Sequence, residues 1–219
     1  MNKAIIGRKL GMSQIFTEDG TVIPVTVVLA GPCTVLQIKS KEKDGYSSIK
    51  VGFEPISESK VNKPDLGQFR NAQSEPLRFI KELKLDNSES YKPGDVITCN
   101  AFSVGDRVDV TGLTKGRGYT GVIQRWGFSK GPSAHGSGYH RGVGALSANS
   151  SPSKVFKNRK MSGQYGNEQV TIKNLEIVRI DESKNAIFIA GGIPGPKKSV
   201  VTIKSTNKVS KKGSKWFKN

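Results

Sequence analysis

The run Gly116-Arg117-Gly118-Tyr119-Thr120-Gly121 has the Gly-x-Gly-x-x-Gly spacing that lets a pyrophosphate approach the backbone at a helix N-terminus. That chemistry also needs an amphipathic helix to follow and a carboxylate about 20 residues on to hold the ribose hydroxyls. The next acid is Glu168, so the glycines read instead as positions where backbone comes close to a phosphate chain. His135 and His140 have no Cys, Asp or Glu nearby to complete a metal shell, and hydrogen bonding or stacking on bases is the simpler role for them. Ser133 and His135 lack an orienting acid, which leaves no catalytic triad, and general acid–base chemistry has no carboxylate to use. Arg125 beside Trp126, and His140 beside Arg141, place planar cations next to rings, an arrangement suited to phosphate contact and stacking on unpaired bases.

These residues share one stretch of the chain. Val110 to Asn167, 58 residues, contains no Asp or Glu, while Lys115, Arg117, Arg125, Lys130, Arg141, Lys154, Lys157, Arg159 and Lys160 give it nine positive charges. A second acid-free stretch, Ser183 to Asn219, carries nine lysines, and the rest of the chain is close to neutral, so these two segments hold the whole formal net charge of +17. The longer segment also contains 12 of the 25 glycines and few aliphatic residues, so it cannot build a core of its own. A partner bringing negative charge and many acceptors would order it, which points to nucleic acid. Tyr119, Trp126, Phe128, Tyr139, Phe156 and Tyr165, interleaved with the cations, are out of place in a mere linker.

The remaining sequence must supply the scaffold. The chain has 219 residues, 35% of them hydrophobic, which is enough for a genuine core. No run approaches the roughly 18 apolar residues of a membrane span, and the N-terminus leads into no long apolar stretch, so a cytoplasmic protein is expected. Cys33 and Cys99 form no Cys-x-x-Cys pair and fit buried thiols in a reducing compartment.

Most of the pattern before Val110 is strand-like. Ser13–Phe16 and Thr21–Ala30 read as a hairpin across Asp19-Gly20, with Pro24 marking an edge or a bulge. Cys33–Ile38 and Ser48–Phe53 flank a turn at Lys43-Asp44-Gly45. Residues 62–72 carry a short helix, with Asn62 as cap, Pro64 in the first turn, and Leu66 and Phe69 three apart. Strands follow at Leu77–Leu85, Asp95–Thr98 and Val104–Val110. Beyond the glycine-rich segment, Gln169–Ile180 and Asn185–Ala190 form a second hairpin, followed by Val200–Ile203. Many short strands between turn residues predict a mainly β protein with a small closed barrel, interrupted by the long basic segment. The lysine-rich end reads as a tail that orders on its partner.

Three motifs carry a resemblance. Ile6-Gly7-Arg8-Lys9-Leu10-Gly11-Met12-Ser13-Gln14-Ile15-Phe16, the run from Val104-Gly105-Asp106-Arg107 through Lys115-Gly116-Arg117-Gly118, and Lys154-Val155-Phe156-Lys157 through Lys160-Met161-Ser162-Gly163-Gln164-Tyr165-Gly166 closely resemble the bacterial form of the universal large-subunit ribosomal protein number three family. The likeness extends from residue 1 to about residue 206. It implies a barrel of the translation-protein type seated on the large subunit, early action in subunit assembly on 23S rRNA, and an extension threading through that RNA toward the peptidyl transferase centre. The stretch matching the tip is Gly144 to Lys154, with Asn149 at the family's tip asparagine. Some bacterial members carry a methylated glutamine next; here Ser150 offers no amide nitrogen, so that modification should be absent.

The resulting expectation is a non-enzymatic, ribosome-bound protein. Its barrel body comprises residues 1–109 and 164–206, its extension 110–163 and its tail 207–219. Its partners are 23S rRNA and neighbouring large-subunit proteins, with no cofactor, metal, membrane or small-molecule substrate. The expected RNA-binding set is Arg8, Lys9, Lys115, Arg117, Tyr119, Arg125, Trp126, Lys130, His135, His140, Arg141, Lys154, Lys157, Arg159 and Lys160. An RNA-modifying enzyme would need a catalytic carboxylate or cofactor pocket in the body, whose acids sit mostly in turns; a DNA-binding regulator would need a recognition helix.

Overall fold

A computed structural model of the chain describes residues 3–147 and 149–206; the predicted tail, 207–219, lies outside the described residues. Strands β1 (Ala4–Phe16) and β2 (Val22–Ala30) form the first hairpin. Its turn is closed by the Thr17 N–H donating to the Thr21 carbonyl at 3.0 Å, and Gly20 supplies the left-handed φ of +75° that a side chain would resist. β1 starts nine residues before the predicted hairpin arm. A register shift between Lys9 and Gly11 bends it, so that Ala4–Gly7 are buried while Leu10, Met12 and Phe16 are exposed.

Next come β3 (Cys33–Lys39), the one-turn helix α1 (Lys41–Asp44) where a simple turn was predicted, and β4 (Ser48–Pro55). The predicted helix is α2 (Lys63–Asn71), with Asn62 at the cap position in extended geometry and Phe69 buried against Leu36 and Ala72. β5 (Leu77–Leu83) and the short β6 (Val96–Ile97) complete a four-stranded sheet in the order β5-β4-β3-β6. β7 (Arg107–Leu113) is followed by β8 (Gly118–Thr120), α3 (Val122–Trp126) and β9 (Gly163–Tyr165). β10 (Gln169–Asp181), β11 (Ala186–Ala190) and β12 (Val200–Ser205) end the fold.

The predicted barrel is present. Six strands close in the order β1-β12-β7-β10-β11-β2, with β2 returning to β1. Closure leaves no unpaired strand edge. Inward-facing Ile5, Val28, Val108, Val110, Ile177, Ile187, Ile189, Val201 and Ile203 are fully buried and share one core with Val35, Ile49, Val51 and Leu83 of the four-stranded sheet. Each such side chain contributes roughly 1.5–3 kcal/mol on burial, which makes this core the main source of stability. One ion pair is built into the barrel wall. Arg107 and Glu176 are register partners on β7 and β10, 3.1 Å apart, and the Glu176 side chain is only 1% exposed.

Pro24 sits where the β11-facing side of β2 becomes an edge, and not at a bulge. It lies inside β2 opposite Gln14, one residue beyond the last β2–β11 register pair, Val25–Ala190. Its carbonyl accepts the Gly191 N–H at 2.8 Å, and the Gly191 carbonyl, which would otherwise have received the missing proline N–H, accepts the Thr26 hydroxyl at 2.6 Å. The lost ladder bond is thus replaced by a side chain.

The described residues form two compact units, residues 3–113 with 169–206 and residues 114–168. Sequence placed the boundaries at 109/110 and 163/164. Residues 110–113 belong to β7, with 110–112 paired to both β10 and β12 and Leu113 to β10, because the alternating apolar pattern continues past the last acid, Asp109. Residues 164–168 belong with the second unit, in which β9 pairs with β8.

Candidate nucleic-acid interface

Among the described residues of 114–168 only Thr120, Val122 and Gly166 are buried. Apolar burial therefore does not hold this unit together, and hydrogen bonds set its shape. At its base the Thr114 N–H donates to the Glu168 carbonyl at 2.9 Å, and the Arg117 N–H donates to the Tyr165 carbonyl at 2.8 Å. Between them Gly166 adopts φ +72°, and a Cβ there would lie 2.0 Å from the Lys115 carbonyl oxygen. Only glycine fits. β8 and β9 pair from Gly118–Tyr165 to Thr120–Gly163, and the buried Thr120 hydroxyl lies 3.2 Å from both the Arg117 and Gly118 carbonyls.

The clearest side-chain cluster centres on the Met161 carbonyl. Arg125 Nη1 donates to it at 2.9 Å and Trp126 Nε1 at 2.8 Å. The Arg125 guanidinium lies 5.0 Å from the centre of the Trp126 ring, and the Lys160 ammonium 5.5 Å from it. The Tyr119 hydroxyl reaches Ser162 Oγ at 3.1 Å while the ring remains 81% exposed. α3 thus brings Arg125 and Trp126 onto the segment that leads into β9.

Farther out, the Gly131 N–H donates to the His140 carbonyl at 2.9 Å, closing a loop. His140 Nδ1 lies 2.8 Å from the Pro132 carbonyl. A carbonyl only accepts, so Nδ1 carries the hydrogen and Nε2 is left for another partner. The Tyr139 hydroxyl accepts the Gly144 N–H, and Arg159 Nη2 donates to the Ala145 carbonyl. His135, Asn149, Ser150 and residues 151–160 are all exposed.

Electrostatically the unit holds nine Lys and Arg side chains against the single carboxylate of Glu168. Among the described residues none of these cations has an ion-pair partner. Eight are exposed; Arg125 is partly covered. Tyr119, Trp126, Tyr139, Phe156 and Tyr165 present exposed ring surface among them. Such a surface neutralises closely spaced phosphates and offers rings to bases.

Comparison with known proteins fits this geometry. Residues 80–187, which include the whole basic unit, match the family model described as ribosomal protein L3. The large ribosomal subunit protein uL3 of Geotalea daltonii is 50% identical over 211 residues, covering 96% of this chain and 100% of that protein. The chain belongs to the ribosomal protein L3 family.

Two of the predicted contacts in this L3-family chain are placed elsewhere. Arg8 pairs with Glu54 and lies over the Phe79 ring at 5.8 Å. Lys9 is buried, and its ammonium donates to the Ile193 and Gly195 carbonyls at 2.9 and 3.0 Å. Both serve the body of the fold, because alternation along β1 turns Lys9 inward where carbonyls replace water around its charge. Arg125 and Trp126 face each other and one carbonyl, so they shape the L3 extension from within. Sequence reasoning missed the acceptor that joins them: the Lys160-Met161-Ser162-Gly163 motif was visible, but a backbone carbonyl leaves no compositional trace. Among the described residues, no cluster of three His, Cys, Asp or Glu could hold a metal, and no helix is long and apolar enough to cross a membrane.

Proposed function

We propose that this chain is a structural constituent of the large ribosomal subunit, ribosome-bound in the cytoplasm, and that its 114–168 unit lies against 23S rRNA. One observation carries the reading: the unit keeps nine cations without a single ion pair among the described residues and has almost no core, so its uncompensated charge calls for an anionic surface. Each phosphate neutralised releases counterions and contributes about −0.7 to −0.9 to the log–log salt slope of binding. The glycines, irregular loops and exposed rings suit an irregular RNA surface recognised by shape. RNA helices closing around the extension would be pinned in a tertiary fold early in subunit assembly. Asn149 and Ser150, both exposed, form the end directed toward the peptidyl transferase centre. The barrel docks the protein beside neighbouring large-subunit proteins, and no side chain serves as a catalyst.

Sucrose-gradient fractionation tests the reading. The tagged full chain co-sediments with large subunits and their precursors and stays there through a moderate-salt wash; recovery only from the soluble fraction would overturn the assignment.

A further inference from the structure

The predicted RNA contacts leave one basic groove unexplained, on the outer wall of the barrel. Register places Thr171 of β10 opposite Thr111 of β7, and Thr111 opposite Thr202 of β12, so three threonines form a row across three strands. The Thr111 and Thr171 hydroxyls are 2.8 Å apart. β5 brings Lys81 over one end of this row, where its ammonium donates to the Thr202 hydroxyl at 3.0 Å. Lys173 and Lys204 line the same cavity, of about 630 Å³.

The groove's two carboxylates are already engaged. Glu82 accepts from the Lys39 ammonium at 2.8 Å and from the Tyr46 hydroxyl at 2.9 Å. Asp109 accepts the Asn174 N–H at 2.8 Å, and it lies opposite Lys204 in the β7–β12 register. Among the described residues Lys81, Lys173 and Lys204 have no ion-pair partner. Lys81 is held below the usual lysine range by desolvation and by the charge of Lys204, so the two ammonium groups repel each other at rest. A bound anion would relieve that repulsion and accept from the hydroxyl row.

The shape favours a chain over a single ion. A second cavity of about 490 Å³ continues the first, sharing Lys81, Thr111 and Gln169, and reaches Phe79, whose ring has the Arg78 guanidinium 5.3 Å from its centre. Ammonium groups and hydroxyls at one end and the exposed Arg78 guanidinium at the other match successive phosphates of one RNA strand. We propose that the groove formed by Lys81, Lys173, Lys204 and the Thr171-Thr111-Thr202 row binds the RNA backbone, as a second contact independent of the 114–168 unit. This rests on the reading that the chain binds rRNA.

The test uses the full chain and filter binding to a transcript of 23S rRNA over a range of KCl concentrations. K81Q/K204Q should lower the log–log slope by about 1.4–1.8, and K81R/K204R should restore it. K173Q, which alters an exposed side chain and does not threaten folding, should lower the slope by about 0.7–0.9. If the glutamine variants keep the wild-type slope while R117Q/K157Q lowers it, the groove proposal fails and the rRNA reading stands. A wild-type slope near zero overturns both. Crosslinking of Lys173 to an acidic neighbouring protein in the assembled subunit, with an unchanged slope, also overturns the RNA assignment.

Discussion

Replacing Arg125 by lysine separates charge from shape in the basic unit. The substitution keeps the positive charge but removes the planar fork that reaches the Met161 carbonyl at 2.9 Å while lying over Trp126. A hydrogen bond from a charged donor contributes about 1.5–3 kcal/mol. Lysine retains part of the attraction to the indole ring, so the expected net loss is about 2 kcal/mol, with the hydrogen bond as the larger share. With only Thr120, Val122 and Gly166 buried among the described residues of this unit, little packing resists the opening that follows. The readout is amide hydrogen exchange by NMR at Arg117, whose N–H is held by the Tyr165 carbonyl, and along β8 and β9. About 2 kcal/mol of local stability corresponds to roughly 30-fold faster exchange there, while amides of the barrel strands keep their wild-type protection. Unchanged exchange at Arg117, or equal acceleration in the barrel, would refute the claim that this clasp shapes the unit.

Three further outcomes follow from the body of the protein. Glu176→Gln removes the charge opposite Arg107 from a nearly inaccessible site, and urea unfolding should show a loss of about 3–5 kcal/mol, as for other broken buried pairs. Lys39, and next to it Tyr46, hold the Glu82 carboxyl below its ordinary value, so this pair stabilises the fold above the usual carboxylate range and loses that effect as the pH falls through the depressed value. The urea midpoint of the wild-type chain should accordingly drop more between pH 6 and pH 3 than that of Glu82→Gln. Burial pushes the Cys33 thiol up to about 12, so iodoacetamide at neutral pH should leave Cys33 unlabelled in the folded chain and modify it after denaturation, as intact-mass analysis would show.

Much of this structure is legible in the sequence, and the exceptions have physical causes. Turn residues and alternation located the barrel strands after Val22, yet β1 was shortened, because Gly7 and Gly11 interrupt the pattern that a bulged, bent strand does not need to keep. The extension was visible as a missing charge type, a feature that requires no knowledge of contacts. Its boundary was displaced by a few residues, because charge does not respect hydrogen-bonded pairing: Val110 to Leu113 carry no acid and still lie in β7. Arg8 and Lys9 show the opposite failure. Their charge suggested a surface role, while a long strand placed one against Glu54 and the other inside. The groove of Lys81, Lys173 and Lys204 was invisible in sequence, since its three lysines come from three strands and converge only when the barrel closes beside β5.

The central claim is that the 114–168 unit tolerates nine cations beside one carboxylate because it is pressed against RNA phosphates. A cryo-electron microscopy map of the large subunit containing this chain measures that directly. Phosphate oxygens should lie within hydrogen-bonding distance of most of the nine cationic side chains, with Arg125 still turned toward Met161. Finding those side chains facing protein carboxylates or open solvent would contradict it.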